Sequence, residues 1–262
     1  MHPQRQLKLC TAAAAAASMV ASPALSRTVS VPFSASNFSD SLDIDNAYFP
    51  LVAGTTQTYK AESSDGCEVV VTTVTSDTKV IAGVTTRVVH DTAYEGDTCT
   101  TEASALVEDT LDYYAQDDVG NVWYFGEKTY ACQIGTCPLG EGSWIAGEDP
   151  ADALPGIIML AQARSGDTYY QEQAPDVALD QATVTSTGIT VTLKRDDAFP
   201  PGTFTNCIKT KEFSDLEKGS TEFKYYCPNV GNVMVEEHHG AIFISELTSG
   251  ADPLKFRTVP RQ

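Results

Sequence analysis

Basic residues are scarce in this chain: 17 Lys and Arg stand against 35 Asp and Glu, a formal charge of −18 over 262 residues. Such a surface repels phosphate backbones and anionic headgroups, which argues against nucleic acid and negatively charged membranes as partners. Nucleophile and nucleotide motifs are missing as well. No G-x-S-x-G, P-loop or dinucleotide fingerprint occurs, so serine-elbow acyl transfer and nucleotide chemistry have no basis in the sequence. Helical spacing is rare. "DALPGIIMLAQA" (152–163) has enough for a turn or two, but Pro155-Gly156 interrupts it. Beyond the first residues, no apolar run approaches the length of a membrane span.

What the chain does contain begins with an export signal. His2, Arg5 and Lys8 precede the short apolar run "LCTAAAAAASMVA", and Ser22-Pro23-Ala24 offers a small-x-small cleavage pattern. Residues 1–26 therefore read as a signal peptide, with a secreted or periplasmic destination. Six cysteines follow it: Cys67, Cys99, Cys132, Cys137, Cys207 and Cys227. An even count in an exported chain reads as disulfides. Cys207 and Cys227 are centred on the turn-like "SDLEKGS", Cys67 and Cys99 on "VIAGVTT", and Cys132 and Cys137 bracket "QIGT". Neighbours in sequence are thus expected to pair. Zinc is the alternative, but no C-x-x-C occurs and only His90, His238 and His239 follow the signal. No cofactor is implied.

Segments such as "CEVVVTTVT", "TTRVVHDTAY" and "ATVTSTGITVTL" are rich in Val, Ile and Thr and bounded by polar or Gly turns. The expected fold is all-β with little helix. Residues 27–45, Ser-rich and without evident periodicity, read as a flexible leader to a single β domain over 46–250, with a tail at 251–262. Within that domain, "LDYYAQDDVGNVW" (111–123) returns as "FKYYCPNVGNVM" (223–234), the tyrosine pairs offset by 112. "AGTTQTY" (53–59) and "SGDTYYQ" (165–171) align at the same offset. Two units, 51–126 and 163–236, are therefore expected to repeat one strand plan around a linker or cap at 127–162. Closing one half-sheet against the other, as a barrel or strongly curved antiparallel sheet, removes their free edges.

On a strand, one tyrosine of each pair faces inward and the other outward. Tyr114, Trp123, Tyr226 and Met234 are the candidate lining of a cavity between the half-sheets, although such aromatics also serve as plain core.

"NAYFPLVAGTTQTYK", "DYYAQDDVGNVWYFGE", "GSWIAG", "PGIIM" and "KYYCPNVGNV" resemble a family of secreted bacterial β-proteins of uncharacterised activity, over most of residues 46–236. The strand–"YY"–"VG" pattern is also loosely similar to envelope proteins with curved half-barrels that hold lipid or acyl chains. These resemblances imply export and a β-fold but no catalytic residue, and the cysteines are not part of the pattern.

Other chemistry is thinly supported. His238 and His239 point to opposite faces of a regular strand, and spacing does not bring His90 to either. "AQDDVG" places Asp117 and Asp118 in a turn suited to calcium but does not match an EF-hand loop. Paired carboxylates for glycoside hydrolysis exist in any acidic β-protein, and nothing singles out a pair. The leading expectation is an exported binding or structural protein holding an apolar small molecule, lipid or amphipathic ligand. A carboxylate-dependent hydrolase and a non-catalytic surface component without a pocket are the alternatives, and the oligomeric state is left open.

Overall fold

The computed structural model describes residues 26–63, 66–133, 136–193, 202–236 and 242–249. The signal segment, His238, His239 and the 251–262 tail lie outside the described residues. The regular structure of the described residues is strand, apart from two single 3-10 turns at Ala35–Asn37 and Thr101–Ala103.

Strand β1 (Arg27–Thr28) belongs to the leader. Five strands follow as a meander: β2 (Thr56–Ser63), β3 (Gly66–Ile81), β4 (Val84–Gly96), β5 (Ala105–Gln116) and β6 (Val122–Ala131). The connecting stretch adds β7 (Trp144–Ile145) and β8 (Leu154–Met159). A second run contains β9 (Asp167–Tyr170), β10 (Glu172–Gln173), β11 (Asp180–Leu193), β12 (Gly202–Ser214), β13 (Glu222–Cys227), β14 (Gly231–Glu236) and β15 (Ile242–Ser249). All belong to one strongly curved sheet in the order β1-β9-β11-β12-β13-β14-β15-β2-β3-β4-β5-β6-β8-β10, with β7 paired to β6. Pairing is antiparallel except between β1 and β9.

The two runs share one order, β2-β3-β4-β5-β6-β8 against β9-β11-β12-β13-β14-β15. Matching contacts recur in both. The Gly54 N–H donates to the Val74 carbonyl, and the Gly166 N–H to that of Val184, at 2.7 and 2.8 Å. Thr56 faces Thr73 across β2 and β3 as Thr168 faces Thr183 across β9 and β11. Gly120 and Gly231, which start the return strands, have φ of +96° and +89°, a region that costs an L-residue steric energy.

The ends of the sheet meet in the chain. β9 pairs with β11 and β10 pairs with β8, and only Gln171 separates β9 from β10. The strand thus changes partner at one residue, so the chain itself closes the β11 end of the sheet onto the β8 end. This crossing needs glycine opposite it: a Cβ on Gly156 would lie 2.0 Å from the Gln171 carbonyl oxygen.

Two expectations change. The leader, read as flexible, packs on the sheet: Val29, Val31, Phe33 and Phe38 lie on the cluster containing Trp123 and Phe125. Phe33 sits 5.7 and 5.8 Å from those two rings, edge-on. Its apolar residues are worth burying despite the serine around them. Residues 154–159, within the expected cap, instead form β8, because β-branched Ile157 and Ile158 favour an extended chain that Pro155-Gly156 does not disturb at the edge of the β6 ladder.

The disulfides are Cys67–Cys99, Cys132–Cys137 and Cys207–Cys227, as the spacing predicts. They fit an oxidising compartment. Among the described residues, no helix is long and apolar enough to cross a membrane.

Two measurements check this architecture by chemical denaturation. Gly156→Ala is expected to cost about 1–3 kcal/mol or more, since backbone must move to admit the methyl group. Gly142→Ala, whose Cβ would meet nothing closer than 3.6 Å, is the near-neutral control. Replacing Cys207 and Cys227 by serine is expected to cost roughly 2–4 kcal/mol, and replacing Cys132 and Cys137 less, because the loop it closes is shorter. Equal stability of the two glycine variants would contradict the crossing.

Candidate functional site

Alternation along the strands sets what faces the interior. Glu68, Val70 and Thr72 on β3, Val89 and Asp91 on β4, Asp112 and Tyr114 on β5, and Glu222 and Lys224 on β13 share one side and bound a cavity of about 280 Å³. Phe49, Leu51, Tyr59 and Val235 complete its wall. A second cavity of about 300 Å³, lined by Gln171, Glu172, Asp180, Glu212 and Ser214 among others, shares Glu222 and Lys224 with the first. The two cavities adjoin at these shared residues and are together called the chamber.

The segment between the leader and β2 completes the chamber. Asn46 is buried; its backbone N–H donates to Gln116 Oε1 at 2.8 Å and its amide to the Gly120 carbonyl at 2.8 Å. That anchor delivers Phe49 to a position between the second tyrosines of both pairs, 5.5 Å from Tyr114 and 6.1 Å from Tyr226. Tyr114 in turn stacks on Tyr124 at 4.8 Å.

The sequence candidates divide by face. Tyr114 lines the chamber, and Tyr226 is buried beside it in the cluster that holds Ile44 and Phe49. Trp123 does not reach the chamber. It packs with Tyr113 under Phe33 and Phe38, and its indole N–H donates to Asp117 Oδ2 at 2.8 Å. Met234 pairs across the ladder with Tyr225 and packs on that tyrosine's cluster, also away from the chamber. Sequence reading missed Asp91, Asp112, Glu212, Lys224 and Phe49. A signal existed for two of them: "DYY" and "KYY" put Asp112 and Lys224 two residues before Tyr114 and Tyr226, on the same faces.

The turn carboxylates are committed elsewhere. Asp117 accepts from the N–H groups of Val119 and Asn121, the Asn121 amide and Trp123. Asp118 accepts from the Ser39 backbone and hydroxyl. His90 Nε2 meets Asp109 Oδ1 at 2.8 Å. Among the described residues, no group of three or more side chains is arranged to hold a metal ion.

Charge inside the chamber is crowded. Lys224 Nζ lies 2.9 Å from Glu212 Oε2 and 2.7 Å from Glu222 Oε1. Burial by itself lowers the lysine's pKa, and those carboxylates reverse the effect, holding it well above the ordinary value. Glu212 also accepts from Thr210 and Tyr226 hydroxyls at 2.8 and 3.2 Å. The opposite wall has no such cation. Tyr124 OH lies 2.5 Å from Asp112 Oδ1 and 2.9 Å from Glu127 Oε2. A phenol has one proton to donate, so its second contact is favourable only when a carboxyl carries a proton. Burial, then the Glu127 charge, raises Asp112 well above the usual carboxylate range. Burial raises Glu127 to about 7 and Asp91 to about 6. Glu172 is raised by burial and by Asp180.

These shifts predict a pH dependence. In the unfolded chain Asp91 and Glu127 lose their protons near pH 4; in the folded chain they keep them until about pH 6 and 7. The unfolded state therefore binds fewer protons between those limits, and this contribution to stability is full below about pH 4 and lost as pH rises towards 7. The Asp91→Asn/Glu127→Gln variant is expected to gain stability relative to the parent across that window, read as melting temperature against pH. Parallel profiles for parent and variant would place the retained protons elsewhere.

Against known proteins, no family model, no curated protein and no solved structure matches this chain.

Proposed function

We propose that the protein is an exported binding protein, secreted or periplasmic, that holds a small amphipathic ligand in the chamber between its half-sheets. One observation supports this above others: the 280 Å³ cavity is lined by apolar Phe49, Leu51, Val70, Val89 and Val235 together with a few polar groups, among them Asp91, Asp112 and Lys224. Ligand sites of this kind are mostly apolar with a few placed polar groups. The recurrence of strand order and contacts supports reading the two runs as copies of one unit, with the site at the seam between them.

The hydrolase reading finds its nearest pair in Asp112 and Glu127. The Tyr124 oxygen lies between those carboxyls, where a substrate oxygen or attacking water belongs, and this counts against it.

Two experiments test the binding reading. Native mass spectrometry of protein purified from its own host is expected to show an added mass that denaturation releases. The neutral probe N-phenyl-1-naphthylamine is expected to brighten on binding the emptied protein, and Val70→Trp, which fills the cavity, to abolish the signal. No added mass together with no probe response in the parent would overturn the reading.

A further inference from the structure

Asp91 and Asp112 are diagonal neighbours on the chamber face. Val89 stands directly opposite Asp112 on the adjoining strand, and Asp91 is two residues along from Val89. General sheet geometry places such a pair roughly 7–8 Å apart at Cα, with the side chains closer. A cation held between them would meet a carboxylate on each side. The two oxygens of Asp91 differ: Oδ2 accepts from Thr72 Oγ1 at 3.2 Å, whereas Oδ1 is buried and has no hydrogen-bond partner among the described residues. A buried acceptor left unmade costs about 1–3 kcal/mol, more when it bears charge, so a donor from a ligand has much to recover there.

The rest of the cavity wall points to the same chemistry. Phe49, Tyr59 and Tyr114 present aromatic rings beside the two aspartates. Such rings attract cations through their faces. Among the described residues, the charged side chains on this wall are four carboxyl groups, Glu68, Asp91, Asp112 and Glu222, against one ammonium, that of Lys224. Lys224 is held by Glu212 and Glu222, so Asp91 and Asp112 have no cation of their own, and a bound ammonium would supply the counter-charge that their burial leaves missing. The net charge of −18 adds a long-range field that draws cations and repels anions.

We infer that the chamber ligand is a small organic amine, its ammonium group lodged between Asp91 and Asp112 and its apolar portion against Val70, Val89 and Val235. This rests on the binding reading above and specifies its ligand. The ammonium has three donors, enough to reach Asp91 Oδ1 and an oxygen of Asp112 together while its remaining N–H faces the rings. A carboxylate or phosphate head group would bring a further acid to two carboxyls that already have no counter-charge. A neutral alcohol would satisfy Asp91 Oδ1 but leave the charges unbalanced.

The test compares hexylamine, hexanol and hexanoate as probes by isothermal titration on the emptied, full-length exported protein at neutral pH. Hexylamine is expected to bind roughly tenfold or more tightly than hexanol, the size of a hydrogen bond to a charged group, and hexanoate not measurably. In Asp91→Asn and Asp112→Asn the amine-to-alcohol ratio is expected to fall towards one. N-phenyl-1-naphthylamine fluorescence in the same variants reports that the chamber still forms, and Asp109→Asn, on the carboxylate paired with His90, controls for loss of a negative charge as such. Hexanol binding as well as hexylamine, or a ratio that survives both substitutions, overturns the amine assignment while leaving a binding chamber in place. Failure of all three probes and of the fluorophore overturns the chamber reading itself.

Discussion

Everything in this fold depends on the sheet closing at Gln171. One strand begins on β11 and ends on β8, and the change of partner requires the two backbones to cross where Gly156 has no side chain. Closure converts the pleat from a local alternation into a global division between inside and outside. Once the ring is fixed, every second residue of β3, β4, β5 and β13 must face the interior, whatever its polarity. The chamber and its crowded carboxylates follow from that constraint.

The interior is then filled in two ways. One part is packed by the end of the leader, which buries Ile44, and by the segment after it, which carries Phe49 between Tyr114 and Tyr226. The other part stays open and polar. Corresponding ladder positions differ between the two runs: Asp112 precedes Tyr114 where Lys224 precedes Tyr226, and Asp91 stands where the second run has Glu212. The second run therefore neutralises its own charge through Lys224, while the first leaves two aspartates to burial. Two runs with one strand order thus present unlike walls, one with its charges paired and one without.

Much of the architecture was legible in the sequence. Alternating Val and Thr announced strands, paired "YY" and "VGN" segments announced matching turns, and cysteine spacing announced the three bridges. The leader's role was also written there, since Val29, Val31 and Phe33 alternate as a half-buried strand does, but the surrounding serines masked the pattern. Which tyrosine of each pair faces inward was not legible, because period two gives two faces without saying which is enclosed. Trp123 and Met234 were misplaced for that reason: each lies on the outer face with Tyr113 or Tyr225. The crossing at Gly156 depends on a backbone fifteen residues away in sequence, and no local pattern marks it.

A structure of the protein isolated from its own host tests the central claim most directly. The account predicts density for a bound molecule in the chamber, with its polar end against Asp91 and Asp112 and its apolar end against Val70 and Val235. A chamber filled by the protein's own side chains, with Asp91 Oδ1 paired to another residue, would contradict it.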